Sequence, residues 1–121
     1  EFERTFGIEC KTFSYPPRVE PGKDLSLAVY RIIQEALTNI SRHSKATRAS
    51  VGINVKGRSL RILIRDNGVG IDPSKLDSLK SLGLIGMRER ARSLGGEVHF
   101  TNLRGRGTRV LALFPLNEIS N

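Results

Sequence analysis

The chain has 121 residues, of which 38% are hydrophobic and 26% charged, the balance of one globular domain with a real core. Its single cysteine, Cys10, excludes an internal disulfide, and no apolar run approaches the ~18 residues needed to span a bilayer. The net charge of +8 raises nucleic acid as a partner, but Arg and Lys are spread along the whole chain and only 6% of residues are aromatic. We therefore expect no nucleic-acid partner. A smaller phosphate ligand or an acidic protein surface accounts for the charge equally well.

The N-terminal third predicts a strand followed by a long helix. Residues alternate from about Ile8 to Phe13, and the prolines and glycine within residues 14–23 then forbid a continued helix or central strand. Asp24 is a good N-cap, and the helix should end near residues 42–44. Its buried face is predicted from apolar residues at three- and four-residue spacing: Leu25, Ala28, Val29, Ile32, Ile33, Ala36, Leu37 and Ile40.

Strand-like alternation returns after the helix and predicts two hairpins. The first pairs residues 51–55 with residues 60–64 across Gly57, and the last pairs about Glu97–Thr101 with Thr108–Phe114. Between them, Asp72-Pro73 predicts the start of a short helix containing Leu76 and Leu79. A further helix is predicted from about Met87 to Leu94, stopping at Gly95-Gly96. These elements predict an α+β fold, a two-layer sandwich of a mixed, mostly antiparallel sheet with helices on one face.

A polar stripe on the long helix is the first candidate site. Glu35, Asn39 and His43 are four residues apart, which predicts one face opposite the apolar stripe. A carboxylate and an amide oxygen suit Mg²⁺, because hard cations prefer oxygen ligands. The alternative is a solvated polar face, with His43 as an ordinary helix-end residue.

Glycine-containing segments are the other candidates. The run Asp66-Asn67-Gly68-Val69-Gly70 places a carboxylate at a strand end before two glycines, which suits close approach of the backbone to a flat ligand. Asp-Asn-Gly is also a favoured turn sequence. Gly83-Leu84-Ile85-Gly86 is predicted to open a helix with Arg88 in its first turn, where amide groups and the helix dipole attract phosphate. The alternative for this segment is a plain loop-to-helix junction. Gly105–Thr108 is a third glycine-containing candidate, for which a simple hairpin turn is the alternative.

Four motifs in this order resemble those of sensor histidine kinases. Residues 34–43, Gln-Glu-Ala-Leu-Thr-Asn-Ile-Ser-Arg-His, resemble the N box, and residues 66–71, Asp-Asn-Gly-Val-Gly-Ile, resemble the first glycine box. Residues 83–91, Gly-Leu-Ile-Gly-Met-Arg-Glu-Arg-Ala, are similar to the signature of the nitrate/nitrite-sensor-like subfamily. Residues 105–108, Gly-Arg-Gly-Thr, resemble the last glycine box. The resemblance covers nearly the whole chain.

This resemblance implies the Bergerat ATP-binding fold shared with gyrase, the Hsp90 chaperone and MutL-type ATPases, with ATP and Mg²⁺ as cofactors. It implies that Asp66 accepts a hydrogen bond from the adenine amino group, that Asn39 ligates Mg²⁺, and that Glu35 orients or deprotonates the reacting group. Residues from about Asp72 to Gly86 would form a short lid over the nucleotide. The remaining implied nucleotide contacts are Arg42, His43, Gly68, Gly70, Ile71, Gly83, Leu84, Gly86, Met87, Arg88 and Thr108.

The same resemblance sets expectations for domains and partners. Residues 8–117 would be the catalytic domain, residues 1–7 a linker remnant and residues 118–121 a tail. The dimeric helical domain with the phosphoacceptor histidine is missing, so we expect this chain to be monomeric and not to autophosphorylate alone. The parent would be a membrane-attached dimer with this domain in the cytoplasm, passing phosphate to a response regulator. Alternatives are an anti-sigma-factor-type serine kinase, another Bergerat-fold ATPase, or a non-enzymatic basic module that binds nucleic acid.

Overall fold

The computed structural model describes residues 9–15, 22–70, 83–103 and 107–116, with the backbone alone at residues 9–15, 43, 44 and 103. The elements are β1 (Glu9–Tyr15), α1 (Lys23–Asn39), a π-helical turn (Ile40–Ser44), β2 (Arg48–Lys56), β3 (Ser59–Asp66), α2 (Leu84–Arg92), β4 (Glu97–Leu103) and β5 (Gly107–Pro115). None of the helices within these ranges is both long and apolar enough to cross a membrane. The predicted linker, tail and short helix containing Leu76 and Leu79 lie outside the described residues.

The strands form one five-stranded sheet in the order β1-β2-β3-β5-β4. β1 pairs with β2 in parallel, and the three remaining pairings are antiparallel. A parallel pair needs a long crossover connection, and the segment that contains α1 provides it. The mixed, mostly antiparallel sheet predicted from the sequence is confirmed.

The core lies between the helices and one face of the sheet. Alternate residues of β2, β3 and β5 point into it, and register places Val51 opposite Ile64 and Ile62 opposite Ala112. The most deeply buried side chains come from both helices, β3 and β5: Ile32, Ala36, Leu60, Ile62, Ile64, Leu84, Met87, Ala91, Ala112 and Phe114. Helices therefore cover one sheet face, as the alternating sequence predicts.

The predicted N-cap of the long helix is wrong by two residues. Gly22 occupies the cap position, and the Ser26 N–H donates to its carbonyl oxygen at 2.9 Å. Asp24 lies inside the first turn, where it makes no side-chain cap. Its negative charge still complements the positive end of the helix dipole.

The second helix begins three residues earlier than predicted, at Leu84 instead of Met87. Gly83 is the cap residue in the left-handed conformation, with φ of 68°, and its carbonyl accepts from the Met87 N–H at 3.0 Å. Gly86 is therefore accommodated inside the helix, and Arg88 lies in the second turn, not in the first. The helix ends at Arg92, two residues before the predicted Leu94, and the turn that follows closes at the predicted glycines: Gly95 has φ of 75°, and the Gly96 N–H donates to the Ala91 carbonyl at 2.8 Å.

Truncation of the central core strand tests this arrangement. The Ile62 side chain is 0% exposed between the helices and the sheet, so Ile62→Ala should lower the free energy of unfolding by about 2–5 kcal/mol. The measurement is urea unfolding followed by circular dichroism. Leu27→Ala is the matched control, because Leu27 is 51% exposed on α1 and should change stability by well under about 1 kcal/mol. Equal losses in the two variants would contradict the assigned core.

Candidate functional site

A buried carboxylate at the end of β3 is the centre of the candidate site. Asp66 is 8% exposed, and its Oδ1 accepts from the Gly68 N–H at 2.7 Å. Its Oδ2 accepts from the Thr108 N–H at 3.1 Å and from the Thr108 hydroxyl. The two carboxylate oxygens thus accept from donors on two different segments. The side chain thus joins the end of β3, the following loop and the start of β5.

Gly107, at the start of β5, permits the close approach that this bonding requires. Its φ is 100°, a conformation that other L-residues rarely adopt. A Cβ at this position would collide with the Asp66 carbonyl oxygen and lie 2.8 Å from the carbonyl carbon. Hence the glycine at position 107 has a physical reason beyond the predicted hairpin turn, and the side chains of Asp66 and Thr108 meet because of it.

The loop after β3 is fixed by Asn67, for which the sequence alone predicted only a turn. Its Oδ1 accepts from the N–H groups of Thr47 and Arg48, at 3.0 Å and 2.9 Å, and its Nδ2 donates to the Thr47 hydroxyl at 2.9 Å. The Asn67 N–H also donates to the Arg48 carbonyl at 3.1 Å. These bonds connect the Asp66 loop to the segment that leaves the long helix. The Asp-Asn-Gly tripeptide was the available signal, but the partners of Asn67 are about 20 residues away in sequence and could not be read from it.

The polar stripe of α1 lies at the border of the core and not opposite it. Asn39 is 6% exposed and Glu35 is half-buried, so the solvated-face alternative does not hold for these two residues. A Cβ on Gly83 would lie 2.6 Å from the Glu35 Cδ, which shows that this carboxylate lies against the start of α2. After Asn39 the chain forms a π-helical turn, in which each backbone hydrogen bond spans five residues instead of four. The backbone of His43 therefore does not continue the four-residue spacing of Glu35 and Asn39.

The remaining predicted site residues fall into three groups. Arg42 and Arg88 are exposed, and Gly68 and Gly70 are buried in the loop after β3. Leu84 and Met87 are core residues at the start of α2, with Gly86 half-buried between them. Ile71 and most of the predicted lid lie outside the described residues, and of His43 only the backbone is described.

The described residues contain no cluster of three or more His, Cys, Asp or Glu side chains that could hold a metal alone. The oxygen-bearing side chains of the helix stripe are the Glu35 carboxylate and the Asn39 amide. Mg²⁺ is commonly held by one or two protein oxygens together with substrate phosphates and water. This donor set therefore fits Mg²⁺ bound together with a phosphate ligand and does not fit a metal site built from protein alone.

The profile of histidine kinase-, DNA gyrase B- and HSP90-like ATPases matches residues 24–118, the segment that contains both helices and four of the five strands. The chain belongs to this ATPase family. The matched segment holds Glu35, Asn39, Asp66 and Thr108, the polar residues that the fold places at the border of its core.

Curated relatives within this ATPase family are sensor kinases. The chain is 40% identical over 90 residues to the sensor histidine kinase LiaS of Bacillus subtilis (strain 168), covering 73% of this chain and 24% of LiaS. It is 37% identical over 111 residues to the sensor protein VraS of Staphylococcus aureus (strain COL), covering 91% of this chain and 30% of VraS. The chain thus spans under a third of the length of these relatives.

Solved structures with this ATPase fold include other histidine kinases. The histidine kinase domain of the Erythrobacter litoralis EL346 blue-light activated histidine kinase has a TM-score of 0.78 at 24% identity, covering 99% of this chain and 60% of that one. The Acinetobacter baumannii histidine kinase AdeS has a TM-score of 0.76 at 18% identity, covering 97% of this chain and 58% of that one. At these identities the likeness supports the fold alone.

A pair of glycine substitutions tests the contact between β5 and Asp66. Gly107→Ala should lower the free energy of unfolding by about 2–4 kcal/mol, because it adds a collision with the Asp66 backbone to a strained φ. Gly57→Ala is the matched control, since Gly57 also has positive φ, 63°, but nothing lies within 4 Å of its added Cβ. The control should lose only about 1 kcal/mol, the cost of the backbone conformation. Chemical denaturation of both variants measures the difference. Losses of the same size would contradict the close contact between Gly107 and the Asp66 backbone.

Proposed function

We propose that this chain binds ATP together with Mg²⁺ and is the catalytic domain of a sensor histidine kinase. The observation that carries the proposal is the buried Asp66 carboxylate, held by hydrogen bonds from Gly68 and Thr108 in a chain of the ATPase family. A buried carboxylate with fixed orientation is a selective acceptor for an amino group. The relatives LiaS and VraS are both sensor kinases, which supports the same role for this chain.

Adenine would be recognised at the end of β3. The adenine amino group would donate to the Asp66 carboxylate, whose oxygens act only as acceptors. Gly68 and Gly70 are buried in the adjoining loop, and Gly70 has φ of 82°, so this backbone can pass close to the base. Thr108 would complete the base pocket from β5. Ile71, the residue after Gly70, would also contact the nucleotide.

The phosphates would lie toward α1 and the start of α2. Asn39 would ligate Mg²⁺ through its amide oxygen, and Mg²⁺ when bound neutralises charge on the phosphate oxygens. Glu35 would orient the reacting group from its position beside Gly83. Because the side chains of Leu84 and Met87 are buried in the core, the backbone near Gly83 and Gly86 would make the phosphate contacts of this segment. The cations proposed near the phosphates are Arg42, His43 when protonated, and Arg88.

Phosphoryl transfer would require a second domain that brings a histidine in line with the γ-phosphate. Such transfer depends on positioning and charge neutralisation, so the isolated chain should bind nucleotide without phosphorylating itself. A response regulator would receive the phosphate from the histidine. We propose a cytoplasmic location for the domain, where ATP is present, and a monomeric state for the chain taken alone.

Base selectivity of the unmodified chain is the first test. Calorimetric titration with ATP and with inosine triphosphate compares a base that presents an amino donor with one that presents a carbonyl acceptor to Asp66. ATP should bind more tightly by about 1–3 kcal/mol, roughly tenfold to a hundredfold. Equal affinities would exclude recognition of the adenine amino group. If neither nucleotide binds, the proposed pocket does not function in this chain.

Asp66→Asn tests the same contact from the protein side. The substitution removes an acceptor from the adenine and also sets an NH₂ group against the N–H of Gly68 or Thr108, so ATP binding should fall by about 1–3 kcal/mol or more. Thr108→Val is the control, because it keeps the carboxylate and removes only the hydroxyl donor. It should retain most of the preference for ATP over inosine triphosphate. If Thr108→Val lost as much ATP binding as Asp66→Asn, the loss would come from the hydrogen bond between Asp66 and Thr108 and not from a contact with adenine.

Asn39→Ala tests the metal assignment. The variant should bind ATP without metal as the unmodified chain does, and should lose the gain in affinity that Mg²⁺ provides. Calorimetric titration of ATP with and without Mg²⁺ measures that gain. Gln34→Ala, at an exposed position of the same helix, is the matched control and should keep it. A full Mg²⁺ effect in Asn39→Ala would show that Asn39 is not the ligand.

A further inference from the structure

The sheet face turned away from the helices carries an unusual charge pattern. We define the outer sheet face by the outward residues of β2, β3, β5 and β4: Arg48, Ser50, Gly52, Asn54, Lys56, Arg61, Leu63, Arg65, Arg109, Leu111, Leu113, Glu97, His99 and Thr101. It contains five cations and one carboxylate. That carboxylate, Glu97, lies on the edge strand and is 2.9 Å from the His99 Nε2. None of the five cations forms an ion pair with any residue whose side chain the structure describes.

Two of these cations are directly opposed across the sheet. Arg65 of β3 and Arg109 of β5 are register partners, and both are exposed. Their neighbours in the same row on β2 and β4 are Ser50 and Thr101, so no carboxylate lies between or beside them. Like charges directly opposite each other destabilise an antiparallel pair. The chain therefore accepts an electrostatic cost at this place, which an anionic partner would remove.

An apolar strip lies beside the charged row. Register places Leu63 opposite Leu111 in the next row, and Leu113 opposite Arg61 in the row after that. All three leucines are half-buried. Leucines flanked by arginines complement a surface that has both apolar and acidic side chains, since arginine forms paired hydrogen bonds with carboxylates.

The size of the face limits its occupant. The five strands of the sheet, about 4.8 Å apart, are about 19 Å across, and the three rows of outward positions that all five share extend about 14 Å along the strands. That area is well below the roughly 800 Å² per partner of a stable interface, but it accommodates one helix about 10 Å in diameter. Charged interfaces of this size are typical of transient partners, not of permanent intramolecular contacts.

We propose that the outer sheet face binds an acidic amphipathic helical segment of a separate partner protein. The candidate nucleotide site lies on the opposite, helix-covered side of the sheet, because Asp66 alternates with Arg65 along β3. The partner could therefore dock while the nucleotide pocket stays accessible. This inference does not rest on the proposed function.

The test is a nuclear magnetic resonance titration of the isotope-labelled chain. The probe is a synthetic peptide of about 20 residues with Leu at every third or fourth position and Glu elsewhere, long enough for several helical turns. Chemical shifts should change at Arg61, Leu63, Arg65, Arg109 and Leu111, and not at Glu35 or Asn39 on α1. Peptides with Gln in place of Glu, or Gly in place of Leu, should bind roughly tenfold more weakly or not at all.

Charge reversal then assigns the binding to this face. The double variant Arg65→Glu/Arg109→Glu should weaken binding of the Leu/Glu peptide by roughly tenfold or more, and it keeps a like-charge pair, so the fold is equally strained. Arg31→Glu/Arg92→Glu is the control, since it makes the same change in net charge at exposed positions of the helical layer. The control should bind as the unmodified chain does, apart from a small general electrostatic loss.

A stability measurement provides an independent check. Arg109→Glu alone converts the opposed cations into an ion pair and should raise the midpoint of thermal unfolding, whereas Arg92→Glu should not. The proposal is overturned if shifts map to the helical layer, or if both double variants lose binding equally. It is also overturned if single-stranded DNA or phosphatidylglycerol vesicles bind this face more tightly than the Leu/Glu peptide.

Discussion

The Asp66 carboxylate is the interaction on which the candidate site depends. It is buried at the end of β3 and accepts three hydrogen bonds, from Gly68 in the following loop and from Thr108 on β5. A buried carboxylate is costly unless donors surround it, and here the donors come from two separate elements. Its burial therefore couples the loop conformation to the register of the β3 and β5 pair. The orientation of the carboxylate is therefore set before any ligand binds.

A second set of contacts relates this carboxylate to the long helix. Asn67 bonds to Thr47 and Arg48, just after the π-helical turn in which α1 ends. At the other side, Glu35 lies against Gly83 at the start of α2. The first contact connects the loop after β3 to the segment that follows α1, and the second connects α1 to the start of α2. No single element contains the candidate site.

Local patterns predicted the elements better than their boundaries and partners. Alternation at residues 51–55 and 60–64 predicted β2 and β3, because one sheet face is buried and the other is not. The long helix was predicted from its apolar spacing, but its cap was not, since Gly22 and Asp24 are both acceptable there and only the backbone path decides. The parallel pairing of β1 and the bond between Asp66 and Thr108, 42 residues apart, depend on strand order. No local pattern contains that information. The ordered motifs predicted which residues would belong to the site, and the register of the sheet gives the reason that Asp66 and Thr108 can meet.

The end of β3 shows how one strand can serve two surfaces. Asp66 points into the core side, and its chain neighbour Arg65 points to the outer sheet face, because successive side chains of a strand alternate. The same alternation holds on β5, where Thr108 bonds to Asp66 and Arg109 opposes Arg65. The register that aligns the hydroxyl with the carboxylate on one side must therefore align the two arginines on the other. A shift that separated the cations would break the buried bonds of Asp66, so the electrostatic strain of the outer sheet face follows directly from the construction of the site.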